Sequence, residues 1–143
     1  MLHVVPPQVA PDFIRQSPLA DAAGFCGVNP KTLQYPRYVN IFSLGDVCSS
    51  PNAKTAAAAR KQIGIVAENI LAAKEGRECS HIYEGYGACP LTVENDKVIL
   101  AEFGFGGKLL PTFPLDPVVP RRFSWLLKAK LFPWLYWNGM VRP

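Results

Sequence analysis

Hydrophobic and polar positions follow regular periods in the middle of the chain and irregular ones towards its ends. Residues 1–5 form a short apolar run closed by Pro6-Pro7, which predicts a strand that leaves the fold through a proline arm. Residues 11–27 carry few regular signals beyond a short helical turn over 12–16, just behind Pro11. Residues 28–33 predict a second strand, with turn chemistry at Asn29-Pro30. The strongest β signal is Tyr38-Val39-Asn40-Ile41-Phe42-Ser43-Leu44. Its β-branched and aromatic content predicts a buried strand that stops at Gly45-Asp46.

Beyond a polar loop at 47–52, residues 54–74 are rich in strong helix formers and carry an apolar stripe at Ile63, Val66, Ala67, Ile70 and Leu71. That spacing predicts a helix packed through this stripe and ended by Gly76. The small residues Ala56, Ala57, Ala58 and Ala59 would let its start approach a backbone or a flat ligand closely. Residues 83–93 and 97–105 alternate well enough to pair as a hairpin across Glu94-Asn95-Asp96, a polar turn that tolerates positive φ. Residues 109–120 read as an extended, proline-punctuated arm, and residues 121–140 as two short amphipathic helices broken at Pro133. No internal repeat is visible.

The chain has 143 residues, a size for one ordinary domain, so a large multidomain enzyme is excluded for this polypeptide alone. Its 49% hydrophobic and 18% charged residues match a chain that buries a core, not the profile of disorder. Fourteen prolines cluster near both ends, which places the ordered heart centrally. The longest apolar candidate for crossing a bilayer, residues 131–137, is short and interrupted by Pro133, so no membrane span is expected. The first seven residues lack a basic leader, a sustained apolar segment and arginines, so neither a secretory signal nor a transit peptide is expected there. Opening on a strand with nothing before it suits a piece of a longer chain.

Net charge is +4, and its location changes the picture more than its size. From Pro117 onward, Arg121, Arg122, Lys128, Lys130 and Arg142 meet no acid, whereas the remaining ten bases and eleven acids leave the rest at −1. Interleaved with these charges are Phe123, Trp125, Leu126, Leu127, Leu131, Phe132, Trp134, Leu135, Tyr136, Trp137 and Met140. So much aliphatic and aromatic bulk points to a membrane surface and away from nucleic acid. Cys26, Cys48, Cys79 and Cys89 show no CxxC spacing and have two histidines for company, which argues against a zinc site. With no leader, reduced thiols are expected, one of which could be catalytic.

A strand ending in Gly-Asp before a small-residue helix is used where a backbone must come close to a nucleotide-like ligand. Gly45 permits the approach, Asp46 can accept hydrogen bonds from ligand hydroxyls, and the helix start near Lys54 and Thr55 can stabilise negative charge. An aspartate at a loop start also serves as an ordinary turn or cap residue, and the pair alone does not separate the two.

The run Tyr38-Val39-Asn40-Ile41-Phe42-Ser43-Leu44-Gly45-Asp46, followed by Lys54-Thr55-Ala56-Ala57-Ala58, resembles the second flavin fingerprint of the two-dinucleotide-fold flavoprotein reductases. Within them, five further motifs are similar to the carboxy-terminal part of the sulfide:quinone oxidoreductase family, mitochondrial and related bacterial type. They are Gly85-Tyr86-Gly87-Ala88-Cys89-Pro90-Leu91, Val98-Ile99-Leu100-Ala101-Glu102-Phe103, Thr112-Phe113-Pro114, Leu127-Lys128-Ala129 and Leu135-Tyr136-Trp137-Asn138. Several spaced motifs in one order, covering nearly the whole chain, are far more specific than a Gly-Asp pair.

Residue by residue, the resemblance implies that Asp46, beside Gly45, matches the FAD ribityl-binding aspartate, and that Lys54 and Thr55 match the helix start at the flavin pyrimidine edge. Lys128 matches a late lysine near the flavin, although a lysine on an amphipathic helix also snorkels at a surface, a role that Lys130 could fill instead. Cys89, in its Tyr-x-x-Cys-Pro-Leu setting, matches one of two redox cysteines that bridge sulfur atoms. Taken without its motif, Cys89 reads as a structural thiol. The chemistry needs a thiolate that attacks or retains sulfane sulfur and a second sulfur within reach. In the family that second cysteine, the Gly-rich ADP-binding turn and the middle domain lie upstream.

The resemblance therefore implies an α/β chain: the carboxy-terminal part of a Rossmann-like FAD-binding fold over residues 1–116, with a β-hairpin, and a membrane-facing amphipathic helical tail over 117–143, incomplete as a stand-alone domain. It implies FAD as cofactor, sulfide and quinone as substrates, and a small thiol or sulfite as sulfur acceptor. The missing amino-terminal half and the membrane surface are the implied partners, on the mitochondrial inner membrane or, in a prokaryote, the bacterial membrane, and the chain is expected to be inactive alone. Two other readings stay open: a type II NADH:quinone dehydrogenase, which has no need of Cys89, and a small non-enzymatic protein that binds membranes through its basic aromatic tail.

Overall fold

The computed structural model describes Leu2 and residues 4–142. The chain separates into two compact units, one ending at Gly85 and the other beginning at Tyr86. Between them they hold helices and a two-stranded antiparallel sheet, a small α/β arrangement.

The first unit is a set of turns laid against one long helix. After the short α1 (Asp12–Arg15), the chain runs irregularly to a 3-10 turn at Gly45–Val47 and then enters α2 (Ala56–Lys74). Both ends of α2 are built as the sequence expects. Thr55 is the N-cap, its hydroxyl accepting the Ala58 amide at 3.2 Å. At the other end Gly76 takes φ +71, and its amide reaches Ala73 O at 3.1 Å while Arg77 N reaches Ala72 O at 2.9 Å. That pair of bonds is a Schellman closure.

The face that α2 buries differs from the expected stripe. Ala58, Gln62, Val66, Asn69 and Ala72 point inward, whereas Ile63, Ile70 and Leu71 are 56%, 45% and 51% exposed. The reason lies in the helix's neighbours. The turns beside it present backbone carbonyls and amides, and amide side chains satisfy those where aliphatic ones would strand them. Asn69 shows it plainly: its Nδ2 donates to Thr32 O and His81 O at 3.0 and 2.9 Å, and its Oδ1 accepts the His81 amide at 3.1 Å.

Three expected strands are absent among the described residues. Residues 1 and 3 lie outside that description, and Leu2, Val4 and Val5 are irregular and exposed. Residues 28–33 fold as an Asx turn, with Asn29 Oδ1 accepting the amides of Lys31 and Thr32 and Leu33 at φ +61. The run 38–44, read as a buried strand, makes a single bridge, Phe42 to Gln34, and leaves Tyr38 and Val39 exposed. Its composition suits a sheet, but the start of the run turns back on itself through Ile41 N to Tyr38 O, and the rest pairs only briefly with 33–35, through Tyr35 N to Ile41 O and Ser43 N to Leu33 O.

In the second unit, β1 (Gly87–Glu94) and β2 (Lys97–Phe103) form the expected hairpin, with register Cys89 opposite Ala101 and Asp96 at φ +59 in the turn. The ladder shifts between Thr92 and Glu94. Val98 is fully buried and trades both backbone bonds with Arg121, which fastens the tail to β2 just ahead of its first helical residue. Glu102, also buried, accepts from Tyr86 Oη at 2.6 Å and from the Thr112 amide at 2.9 Å. Those bonds hold the proline-punctuated stretch 109–120, which is irregular as expected.

The tail is not broken at Pro133. Arg122–Leu126 is α-helical (α3), Leu127–Leu131 is a π turn, Phe132–Leu135 is α-helical again (α4) and Tyr136–Met140 is a second π turn, with helical backbone angles at every junction. A proline lacks an amide and crowds the preceding turn. The π turn ahead of Pro133 supplies the slack, its wider ring being closed by Phe132 N on Leu127 O. Ser124 and Leu127 face inward, while Trp134, Tyr136, Trp137 and Met140 are exposed. No helix among the described residues is long and apolar enough to cross a membrane.

Candidate functional site

In the first unit, the candidate residues meet where the 3-10 turn faces the start of α2. Gly45 has φ +69, a conformation that costs a non-glycine residue strain, and a Cβ added there would reach Ala59 Cβ at 3.8 Å. Its amide donates to Gln62 Oε1 at 2.7 Å, which ties the turn to the middle of α2. Asp46 is exposed, and its carboxylate makes no hydrogen bond or ion pair among the described residues. A carboxylate at the head of a left-handed turn, with its lone pairs free, is a ready acceptor for hydroxyls.

Thr55 spends its hydroxyl on the helix cap. The first amides of α2 have no intrahelical partner by geometry, and they give this end of the helix its positive character. Lys54 is placed differently from a free ligand-binding lysine: its Nζ donates to Cys48 O and lies 4.4 Å from the centre of the Phe25 ring. The ammonium thus braces the loop between the turn and the helix.

Beneath the turn lies a polar network that the sequence reading did not single out. Gln62, 1% exposed, accepts Gly45 N–H and hydrogen-bonds the Tyr83 hydroxyl. Asn52 Nδ2 donates to that hydroxyl at 2.8 Å and to Ala53 O at 2.9 Å. Tyr83 is itself 1% exposed, and burial pushes its hydroxyl up to about 12, partly offset by the Gln62 bond. The Cys48 thiol is likewise pushed up by burial, against the pull of the Ser50 amide and the Lys54 charge. The visible signal for this network is the spacing of Ala58, Gln62, Val66, Asn69 and Ala72, a small-and-amide stripe beside the apolar one.

In the second unit, Cys89 lies on β1 with its residue exposed. Lys128 crosses to the same strand, its Nζ donating to Pro90 O at 2.8 Å and Thr92 Oγ1 at 2.9 Å, while Lys130 is exposed. The structure therefore brings Lys128 beside the carbonyl that follows Cys89. Cys26, Cys48 and Cys79 lie in the first unit, Cys26 and Cys48 buried, and all four cysteines are unpaired thiols. Among the described residues no group of histidine, cysteine and carboxylate side chains could hold a metal ion.

No family model matches the chain. Curated relatives do. The chain is 43% identical over 142 residues to "Sulfide:quinone oxidoreductase, mitochondrial" of Mus musculus, and 43% and 37% identical to the proteins of that name from Dictyostelium discoideum and Schizosaccharomyces pombe. Each match takes in 99% of this chain and 32% of the relative, so the chain spans about a third of their length. Among solved structures, a chain of the Tetrahymena thermophila mitochondrial ATP synthase F1Fo tetramer superposes with a TM-score of 0.72 at 25% identity, over 94% of this chain and 31% of that one. Along essentially its whole length, then, the chain is related to a portion of sulfide:quinone oxidoreductase, the carboxy-terminal portion that its motifs resemble.

Proposed function

We propose that this chain is the carboxy-terminal portion of an FAD-dependent sulfide:quinone oxidoreductase and acts as part of that longer enzyme. The observation that carries the reading is the end-to-end likeness to three relatives of that name at 37 to 43% identity. The geometry of the first unit supports it. A left-handed Gly45 turn, an unpartnered Asp46 carboxylate and the open amides of α2 suit a dinucleotide's hydroxyls and negative charge.

In this reading Gly45 and Asp46 hold the FAD ribityl chain, Thr55 organises the helix start, and Lys54 adds positive charge while bracing the loop. FAD, when bound, supplies two-electron chemistry between sulfide and quinone. Sulfide attacks a disulfide between Cys89 and a second cysteine from the rest of the enzyme: that S–S bond breaks, Cys89 keeps the incoming sulfur as a persulfide, and the second cysteine leaves as a thiolate. The two electrons pass through FAD to quinone when the disulfide re-forms. The exposure of Cys89 on β1 leaves it open to that partner. A small thiol or sulfite then takes the sulfur away. Lys128 places its charge on the strand carrying Cys89 and faces the flavin in the assembled enzyme. Residues 1–116 belong to the flavin-binding fold, and residues 117–143 rest on the membrane surface. There the exposed Trp134, Tyr136, Trp137 and Met140, flanked by Arg122 and Lys130, suit an interfacial belt next to quinone. The mitochondrial relatives support a mitochondrial location, and the inner membrane is the surface proposed for the tail there.

The test is steady-state reduction of a short-chain quinone by the full-length protein, with sulfide and NADH compared as donors. Turnover with sulfide that Cys89→Ala abolishes is expected. Turnover with NADH that Cys89→Ala leaves intact would overturn the reading in favour of an NADH:quinone dehydrogenase.

A further inference from the structure

Resting on the reading that FAD binds at Gly45 and Asp46, we propose that Gln62 and Tyr83 are positioning residues that hold the two halves of the flavin cradle in register from beneath. Neither touches the place a ligand would occupy, since both are buried. Both reach it through one bond. Gln62 Oε1 takes the Gly45 amide at 2.7 Å, the bond that fixes the backbone entering the Asp46 turn. The Tyr83 hydroxyl receives Asn52 Nδ2 at 2.8 Å and is bonded by Gln62. Asn52 precedes Lys54 and Thr55 and anchors that loop again through Ala53 O.

One phenol oxygen therefore joins the turn, by way of Gln62, to the lead-in of α2, by way of Asn52. Tyr83 is in turn held by its own amide on Lys31 O at 2.8 Å. Gln62 and Tyr83 are buried, so deleting either leaves hydrogen-bonding groups that must move or remain unpaired. The movement falls on the Gly45 turn and the loop before Thr55, which are the two segments proposed to face FAD. The Gly45 conformation makes the effect specific. Its left-handed φ leaves the amide pointing at one acceptor, and no other acceptor for it is found among the described residues.

The experiment uses the full-length protein purified with FAD and reads cofactor dissociation and the visible circular dichroism of the bound flavin. Wild type is compared with Gln62→Leu, which removes the acceptor for Gly45, with Gln62→Glu, which keeps one, and with Tyr83→Phe, which deletes only the hydroxyl. Gln62→Leu is expected to weaken FAD retention about tenfold or more and Tyr83→Phe about five- to tenfold, each with an altered flavin dichroism, while Gln62→Glu stays within about threefold. Folded Gln62→Leu and Tyr83→Phe proteins that keep wild-type retention and spectrum overturn the inference, as does equal weakening by Gln62→Leu and Gln62→Glu. If Gln62→Leu does not fold, Tyr83→Phe decides alone, because it preserves the shape of the side chain. A wild-type protein that takes up no FAD overturns the proposed function, and this inference with it.

Discussion

Replacing Asn69 with alanine tests whether α2 is held by its amide face. The side chain is fully buried and makes three hydrogen bonds, two from Nδ2 to Thr32 O and His81 O and one accepted by Oδ1 from the His81 amide. A typical internal hydrogen bond contributes about 0.5–1.5 kcal/mol net, and a buried polar group left alone costs about 1–3 kcal/mol. Thr32 and His81 are not themselves buried, so water can reach part of what Asn69 abandons. Losing the side chain should therefore cost about 2–3 kcal/mol, a large share of the roughly 5–15 kcal/mol that holds an ordinary domain. Native-state hydrogen exchange of the full-length protein reads it locally. Amides of α2 and of residues 81–83 should exchange about 30- to 150-fold faster in Asn69→Ala. Ile63→Ser, on the exposed apolar stripe, should change them by less than about threefold, as surface substitutions stay within about 0.5 kcal/mol. Equal acceleration by the two, or no acceleration by Asn69→Ala, would refute the assignment of the inward face.

Other outcomes follow from the same geometry. Gly45→Ala forces a side chain into φ +69 and should cost about 1–2 kcal/mol, seen as lower exchange protection of the Cys48 amide, which bonds Gly45 O. Lys128→Met removes two bonds from β1 and should raise exchange at Leu91 and Thr92 by several-fold while leaving the α2 amides unchanged. Tyr83 is neutral when protonated and its hydroxyl is raised from 10 to about 12, so its contribution is complete below pH 10 and fades as pH climbs towards 12. The urea midpoint should therefore fall over that interval, and Tyr83→Phe should flatten the fall. Iodoacetamide followed by mass spectrometry should label exposed Cys89 readily in the native protein and buried Cys26 and Cys48 after denaturation, and early labelling of Cys48 would contradict its burial.

Where local chemistry decides the outcome, the sequence is a good guide. Helix α2 is legible because its alanines, the Thr55 cap and the Gly76 stop all act within a few residues of one another. The hairpin is legible because alternation and the Asn95-Asp96 turn agree. The failures share one cause, dependence on distant neighbours. Residues 38–44 have strand composition, yet no strand lies alongside to accept them. The stripe of Ile63, Ile70 and Leu71 looks like a core face, yet the turns packed on α2 need amides, and Gln62 and Asn69 supply them. Pro133 reads as a break until a π turn ahead of it absorbs the missing bond. The candidate site divides in the same way: Gly45, Asp46 and Cys89 stand in local motifs, whereas Gln62, Asn52 and Tyr83 are joined only by folding.

The most direct test of the central claim is anaerobic addition of sulfide to the FAD-loaded full-length protein while its visible flavin absorbance is followed. Wild type is expected to bleach, a quinone to restore the colour, and Cys89→Ala to keep its flavin but no longer bleach. Bleaching by sulfide that is unchanged in Cys89→Ala would contradict it.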